Sequence, residues 1–249
     1  MEIQLQKIED EVGKLENYVN NNKENINEKE VIEKLQEINK CFLQNVIIKI
    51  NSNRLEIYPV EVEIYYYKEG VFEDGYCHKN ELQKGKDDDG KYNDRFGKLY
   101  FHRASRSESK NGLIDTTYHG GVDICLSRGD YYLSILLRSV YVKDRTNNKK
   151  NIFITGIHRI VNRITDELES LLEYGDINIK YKIYENQEEK EKFLKSEKEV
   201  NIQDFEFKYI NRWRIKNTAY FEHDKEKNFT LNTYIDNKKI TSKMVKPKE

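Results

Sequence analysis

The sequence has few cysteines, no excess of charge of either sign and no long apolar segment, and each shortage excludes a class of protein. The three cysteines, Cys41, Cys77 and Cys125, are widely spaced and form no Cys-x-x-Cys pair. An odd number at such spacing predicts neither a disulfide framework nor a zinc site. We therefore expect reduced, structural cysteines and a cytoplasmic protein.

The balance of charges limits the partners of the chain. The formal net charge is -1 at pH 7 and the pI is about 6.6, so no global positive field attracts the protein to nucleic acid. Any such contact must come from a local patch. The N-terminal segment MEIQLQKIEDEVGKLE contains no uninterrupted apolar run, which predicts neither a signal peptide nor a membrane anchor, and no membrane partner is expected.

Hydrophobic residues make up 37% of the 249 residues and charged residues 35%, which predicts a folded, globular chain. Residues 1–27 are expected to form an amphipathic helix followed by a polar linker, because Ile3, Ile8, Val12, Leu15 and Val19 recur at helical spacing. This helix could pack on its own domain, on a partner, or on a second copy as the route to a homo-oligomer. Residues 28–249 are expected to form the main domain, which begins with a helix from Glu28 to Gln44 capped by Asn27.

The segment PVEVEIYYY, Pro59 to Tyr67, predicts a half-buried strand. Its alternation places Val60, Val62 and Ile64 on the core face, and Glu61, Glu63 and Tyr65 on the opposite face. Taken alone, the second face is expected to be solvated, as is common in antiparallel sheets.

Two further charged residues lie in segments that are otherwise apolar. Asp123 lies in GGVDICLS and Arg138 in YYLSILLRSVYV, two predicted strands joined by a turn at residues 128–130. A charge near a buried strand needs a partner. Arg138 could pair with Glu63 or Asp123, or hold a water or substrate between them.

Metal and cofactor sites are not predicted. Of the five histidines, His78, His102 and His119 fall near one another in the sequence but show no His-x-His or His-x-x-x-His spacing. The acidic run DDDG lacks the closing glutamate of a calcium loop.

The order of short motifs from Asn45 to Leu172 resembles that of the alkyladenine (3-methyladenine) DNA glycosylase family, especially its divergent bacterial or phage-like members. The shared landmarks are EVEIY, a loop with histidine, GKLYFH, a Gly-Val-Asp-Ile strand, ILLR and GIHRIVNRI. The resemblance implies an α+β fold, a single domain with a curved, mostly antiparallel sheet flanked by helices, plus the N-terminal helical extension.

The resemblance also implies roles for individual residues. Glu63 matches the general base, Arg138 the arginine that helps to position the nucleophilic water, and Tyr65 an aromatic that stacks on the target base. The residues expected around the base are His78, Lys79, Asn80, Tyr100, His102, Tyr118 and Asp123. Asp123 replaces a pocket asparagine of the family, and Tyr118 is a candidate for the residue that wedges into DNA.

The function expected from this resemblance is hydrolysis of the N-glycosylic bond of a damaged or modified nucleobase in DNA or in a nucleotide, without a cofactor. A base in duplex DNA would have to be flipped out. One alternative is a module that binds and sequesters a nucleotide or modified base without cleaving it, which the near-neutral pI favours. Another is a structural protein that assembles through its N-terminal helix.

Overall fold

The computed structural model describes residues 5–50, 54–77, 79, 95–101, 120–145, 151–172, 181–197, 207–210 and 232–235. The helices are α1 Gln6–Asn21, α2 Glu28–Asn45, α3 Ile157–Leu172 and α4 Gln187–Ser196. The strands are β1 Val46–Ile50, β2 Leu55–Lys68, β3 Phe72–Glu73, β4 Leu99–Phe101, β5 Val122–Cys125, β6 Tyr132–Asp144, β7 Ile152–Thr155, β8 Tyr181–Glu185, β9 Phe207–Ile210 and β10 Asn232–Ile235.

The two long strands β2 and β6 form the centre of one curled, antiparallel sheet. They pair from Leu55 opposite Asp144 to Tyr67 opposite Tyr132. Strands β1, β10 and β3 pair one after another with the edge of β2 that faces away from β6. Strands β7 and β5 pair in the same way with the edge of β6 that faces away from β2. Every pairing among the described strands is antiparallel. The α+β class and the curved antiparallel sheet are therefore confirmed, and the glycosylase-like form of this fold stays a prediction.

The pairing of β2 with β6 is irregular at its midpoint. Pro59 faces Val140, and then Glu61 faces Ser139, so that the register shifts on both sides of Glu61. Arg138 follows at the second shift, where it has no directly opposite residue in β2. Such bulges redirect side chains and are frequent beside functional sites.

Helix α1 is packed into this chain rather than left free for another one. Its stripe of Ile8, Val12, Leu15 and Val19 is at most 1% exposed and belongs to the main core. The carboxylate of Glu185 in β8 accepts the backbone N–H groups of Lys7 at 3.0 Å and Ile8 at 2.8 Å, which satisfies two donors in the first turn. The apolar face that a homo-oligomer would use is thus buried within this chain.

Helix α2 follows the sequence prediction closely. Asn27 is its N-cap, and the Asn27 side chain accepts the N–H of Lys29 at 3.1 Å. At its C-terminal end, the carbonyl of the C-cap residue Val46 accepts a hydrogen bond at 3.0 Å from Nζ of Lys190 in α4. This lysine side chain is fully buried, which is unusual for a lysine. Burial lowers the pKa of Lys190 well below its ordinary value of 10.5. Within the described ranges, no helix combines the length and apolar character needed to cross a membrane.

Candidate functional site

Glu63 lies in a row of residues that crosses the middle of the sheet. Asn232 of β10 is opposite Glu63, Leu136 of β6 is opposite Glu63 on the other side, and Asp123 of β5 is opposite Leu136. Tyr100 of β4 continues the row beyond Asp123. Directly opposite residues of antiparallel strands share a face of the sheet, so these five side chains lie on one side.

The carboxylate of Glu63 is buried and held at both oxygens. Only 3% of the residue is exposed. Arg138 donates from Nη1 to Glu63 Oε2 at 3.1 Å, and the Tyr65 hydroxyl donates to Glu63 Oε1 at 2.9 Å. The structure therefore brings together Glu63, Arg138 and Tyr65, and Glu63 provides the partner that a cation on an apolar strand requires.

The neighbouring carboxylate on this face of the strand, Glu61, is also buried, at 5% exposure. The expectation of a solvated face is wrong here. Asn232 Nδ2 donates to Glu61 Oε1 at 3.2 Å, and the Ser139 hydroxyl donates to Glu61 Oε2. Ser139 Oγ also lies 3.0 Å from Thr155 Oγ1. Glu61 thus belongs to a buried polar cluster of uncharged donors directly beside Glu63.

Asp123 is buried on β5, where the hydroxyl of Ser134 donates to its Oδ2 at 2.9 Å. Gly120 and Gly121 precede it, and a glycine at a strand lets another group approach the backbone closely. At Gly121, a Cβ would meet Leu136 Cδ1 at 2.4 Å, so this glycine admits the Leu136 side chain. Leu136 separates Asp123 from Glu63 in the row.

Cys41 and Cys125 lie in surroundings that keep their thiols protonated. Burial, with the charge of Asp123 as the next contribution, raises the pKa of Cys125 to about 12. Burial likewise raises the pKa of Cys41 to about 12. A thiol with so high a pKa stays protonated at neutral pH and is a poor nucleophile.

The aromatic residues of β2 extend along the same face. Tyr65 is half-buried, and Tyr67 packs edge-on against Tyr132, its opposite residue, with ring centroids 6.2 Å apart. Lys79 Nζ lies 4.0 Å from the centre of the Tyr67 ring. At about 3.3 Å per residue, this lysine contact is roughly 13 Å along the strand from Glu63.

The remaining predicted site residues are only partly described. Tyr100 lies three strands from Glu63 in the row, which corresponds to about 14 Å. His78, Asn80, His102 and Tyr118 lie outside the described residues, and their roles stay predictions. Across the described part of the chain, no three His, Cys, Asp or Glu side chains are grouped as metal ligands.

A different charged cluster surrounds Glu56 at the far end of β2. Its fully buried carboxylate lies 2.5 Å from Arg145 and 3.4 Å from both Lys49 and Lys143. The hydroxyl of Tyr58 also donates to it at 3.1 Å. Three cations around one carboxylate fit a structural ion network, in contrast to Glu61, whose described donors are uncharged.

Four residues of the site were not predicted from the sequence, namely Ser134, Leu136, Ser139 and Asn232. The first three lie on the strand of Arg138, where the alternation of YLSILLRS could have placed Ser134 and Leu136 on its face. Asn232 lies in the short segment NTYI, whose alternation is too brief to predict a strand.

Comparisons of the chain with known protein families, with curated proteins and with solved structures find no match. The family resemblance therefore rests on the order of its motifs.

Proposed function

We propose that this protein hydrolyses the N-glycosylic bond of a damaged or modified nucleobase, with Glu63 activating the attacking water. The observation that supports this most is the fixed, buried Glu63 carboxylate, held by Arg138 at 3.1 Å and by Tyr65 at 2.9 Å. A carboxylate in a fixed orientation can orient and deprotonate a water, as a general base does.

The same carboxylate suits the charge that develops during the reaction. As the base leaves, positive charge forms at the anomeric carbon, and a preorganised negative group stabilises it. Arg138 keeps Glu63 in place, and Tyr65, whose hydroxyl contacts Glu63, is proposed to stack on the base. Tyr100, about 14 Å away in the row, is too distant to stack on the opposite face of the same base. His78, Lys79 or Asp123 would contact the edge of the base, and a base in duplex DNA would be flipped into the site.

A second candidate function is binding of a nucleotide or modified base without cleavage. The observation that favours it is that protein donors hold both oxygens of Glu63, an arrangement that also occurs in purely structural ion pairs. The net charge of -1 also suits a small nucleotide better than a long duplex.

One experiment separates the two functions. The protein is incubated with DNA treated with a methylating agent and, separately, with free nucleotides, and released base is measured by chromatography while binding is measured by fluorescence anisotropy. Glu63→Gln should bind as the wild type and release no base, whereas Glu69→Gln, the same change at an exposed residue, should behave as the wild type. Tight binding of intact ligand by the wild type would select the binding module, and an unchanged rate in Glu63→Gln would refute the catalytic assignment.

A further inference from the structure

Asn232 lies on the face of Glu63 and is fully buried. Its neighbour Thr233 points to the opposite side of the sheet, where the side-chain amide of Asn39 in α2 donates to Thr233 Oγ1 at 3.1 Å. Two successive polar residues of β10 therefore lie on opposite faces of the sheet. Thr233 lies on the face covered by α2, and Asn232 lies on the face that carries Glu63.

The orientation of the Asn232 amide is fixed by its neighbour. An amide donates from nitrogen and accepts at oxygen, and a carboxylate accepts only. Nδ2 must therefore face Glu61, to which it donates at 3.2 Å. Ser139 donates to the other oxygen of Glu61, so the carboxylate that orients the amide is itself held. The amide oxygen Oδ1 is consequently turned away from Glu61.

Asn232 Oδ1 is buried and accepts no hydrogen bond from any residue in the described ranges. A buried acceptor without a donor lowers the stability of a protein, and such atoms are rare unless a ligand or an ordered water uses them. Within the described part of the chain, the sheet therefore presents a fixed acceptor without a protein donor, beside the carboxylate of Glu63, and this acceptor suits a bound water.

We infer that Asn232 Oδ1 accepts a hydrogen bond from the water that Glu63 activates, and that Glu61 and Ser139 are positioning residues that hold the amide in this orientation. The inference deepens the proposed hydrolysis and rests on it. A water that donates one hydrogen to Glu63 and the other to Asn232 directs its oxygen lone pairs away from both acceptors, toward a substrate.

The reaction balances without a further group. The water oxygen forms a bond to the anomeric carbon, and the carbon–nitrogen bond breaks with its electron pair passing to the base. Glu63 takes one proton of the water and then releases it to solvent or to the departing base. Asn232 exchanges no proton and fixes the direction of attack.

The first test does not depend on activity. A high-resolution crystal structure of the full chain should show an ordered water within hydrogen-bonding distance, about 2.7 to 3.2 Å, of both Asn232 Oδ1 and the Glu63 carboxylate. The absence of that water, or a protein group bonded to Oδ1, would overturn the inference.

The second test is kinetic and uses single-turnover release of base from methylated DNA. Asn232→Ala should lower the rate about tenfold to a hundredfold, the effect expected for loss of one buried hydrogen bond, with binding of the DNA unchanged. Glu61→Gln should lower the rate about twofold to tenfold, because a glutamine can donate as well as accept and no longer dictates the orientation of the Asn232 amide.

Asn39→Ala is the matched control, because it removes a buried amide that contacts the same strand from the opposite face. It should lower stability and leave the rate of the folded protein unchanged. An unchanged rate in Asn232→Ala, or an equal loss in Asn39→Ala, would contradict the inference. If the wild type releases no base but holds the water, the proposed hydrolysis fails and the water site stands. If the wild type releases base, Glu63→Gln does not and Asn232→Ala matches the wild type, the inference alone fails.

Discussion

Helix α1 should be essential to the stability of the domain, and Leu15→Ala tests this with a small change. Leu15 is 1% exposed and is one of four buried side chains in the stripe of α1. Burying side chains of this kind contributes about 1.5 to 3 kcal/mol each, or about 6 to 12 kcal/mol for the four. That sum is comparable to the whole free energy of unfolding of a typical domain, about 5 to 15 kcal/mol.

We therefore expect Leu15→Ala to lower the free energy of unfolding by about 2 to 5 kcal/mol in urea titrations followed by circular dichroism. The control is Asn17→Ala, at an exposed position of the same helix, which should change stability by less than about 0.5 kcal/mol. The urea midpoint should not depend on protein concentration, because the helix packs within its own chain. A fragment of residues 28–249 that unfolds with the stability of the full chain would refute the reasoning.

Three further changes can be followed by the same urea titrations. Lys190→Met should raise the free energy of unfolding by about 1 to 3 kcal/mol at pH 7, because the unfolded state protonates this amine more readily than the folded state. The gain should shrink as the pH approaches 10.5, the ordinary pKa of this amine, so a gain independent of pH would contradict the assignment. Arg138→Met should lower the free energy of unfolding by about 2 to 4 kcal/mol, because the buried Glu63 carboxylate loses the guanidinium that faces it. Adding Glu63→Gln to that variant should restore part of this stability, because the uncompensated charge is then removed. If the effects of the two substitutions simply add, the two side chains are not energetically coupled. Gly121→Ala should lower the free energy of unfolding by about 1 to 3 kcal/mol, because its Cβ would lie 2.4 Å from Leu136 Cδ1. Adding Leu136→Val should restore part of this stability by making room for the methyl group. If the double variant is no more stable than Gly121→Ala, the clash with Leu136 is not the cause of the loss.

The local periodicity of the sequence was enough to predict several parts of the fold. The apolar stripes and the Asn27 cap predicted α1 and α2, and the alternation in PVEVEIYYY placed Glu61 and Glu63 on one face of β2. The apolar character of the strand around Arg138 required a partner for the cation, and the structure provides Glu63 at 3.1 Å. These predictions succeed because they depend on neighbours within one element or on the cost of a buried charge.

The burial of that face could not be predicted in the same way. Alternation assigns side chains to two sides of a strand but does not say which sides are covered. Glu61 is buried because Asn232, 171 residues further along the chain, lies beside it, and pairing between such distant segments leaves no local period.

The most direct test of the account is the single-turnover rate of base release by wild type and by Glu63→Gln, measured on methylated DNA with the protein in excess and at matched occupancy. If Glu63 activates the water, the wild type releases free base and the glutamine variant, folded and bound to the same DNA, releases it at least about a hundredfold more slowly. Equal rates in the two proteins would contradict the central claim.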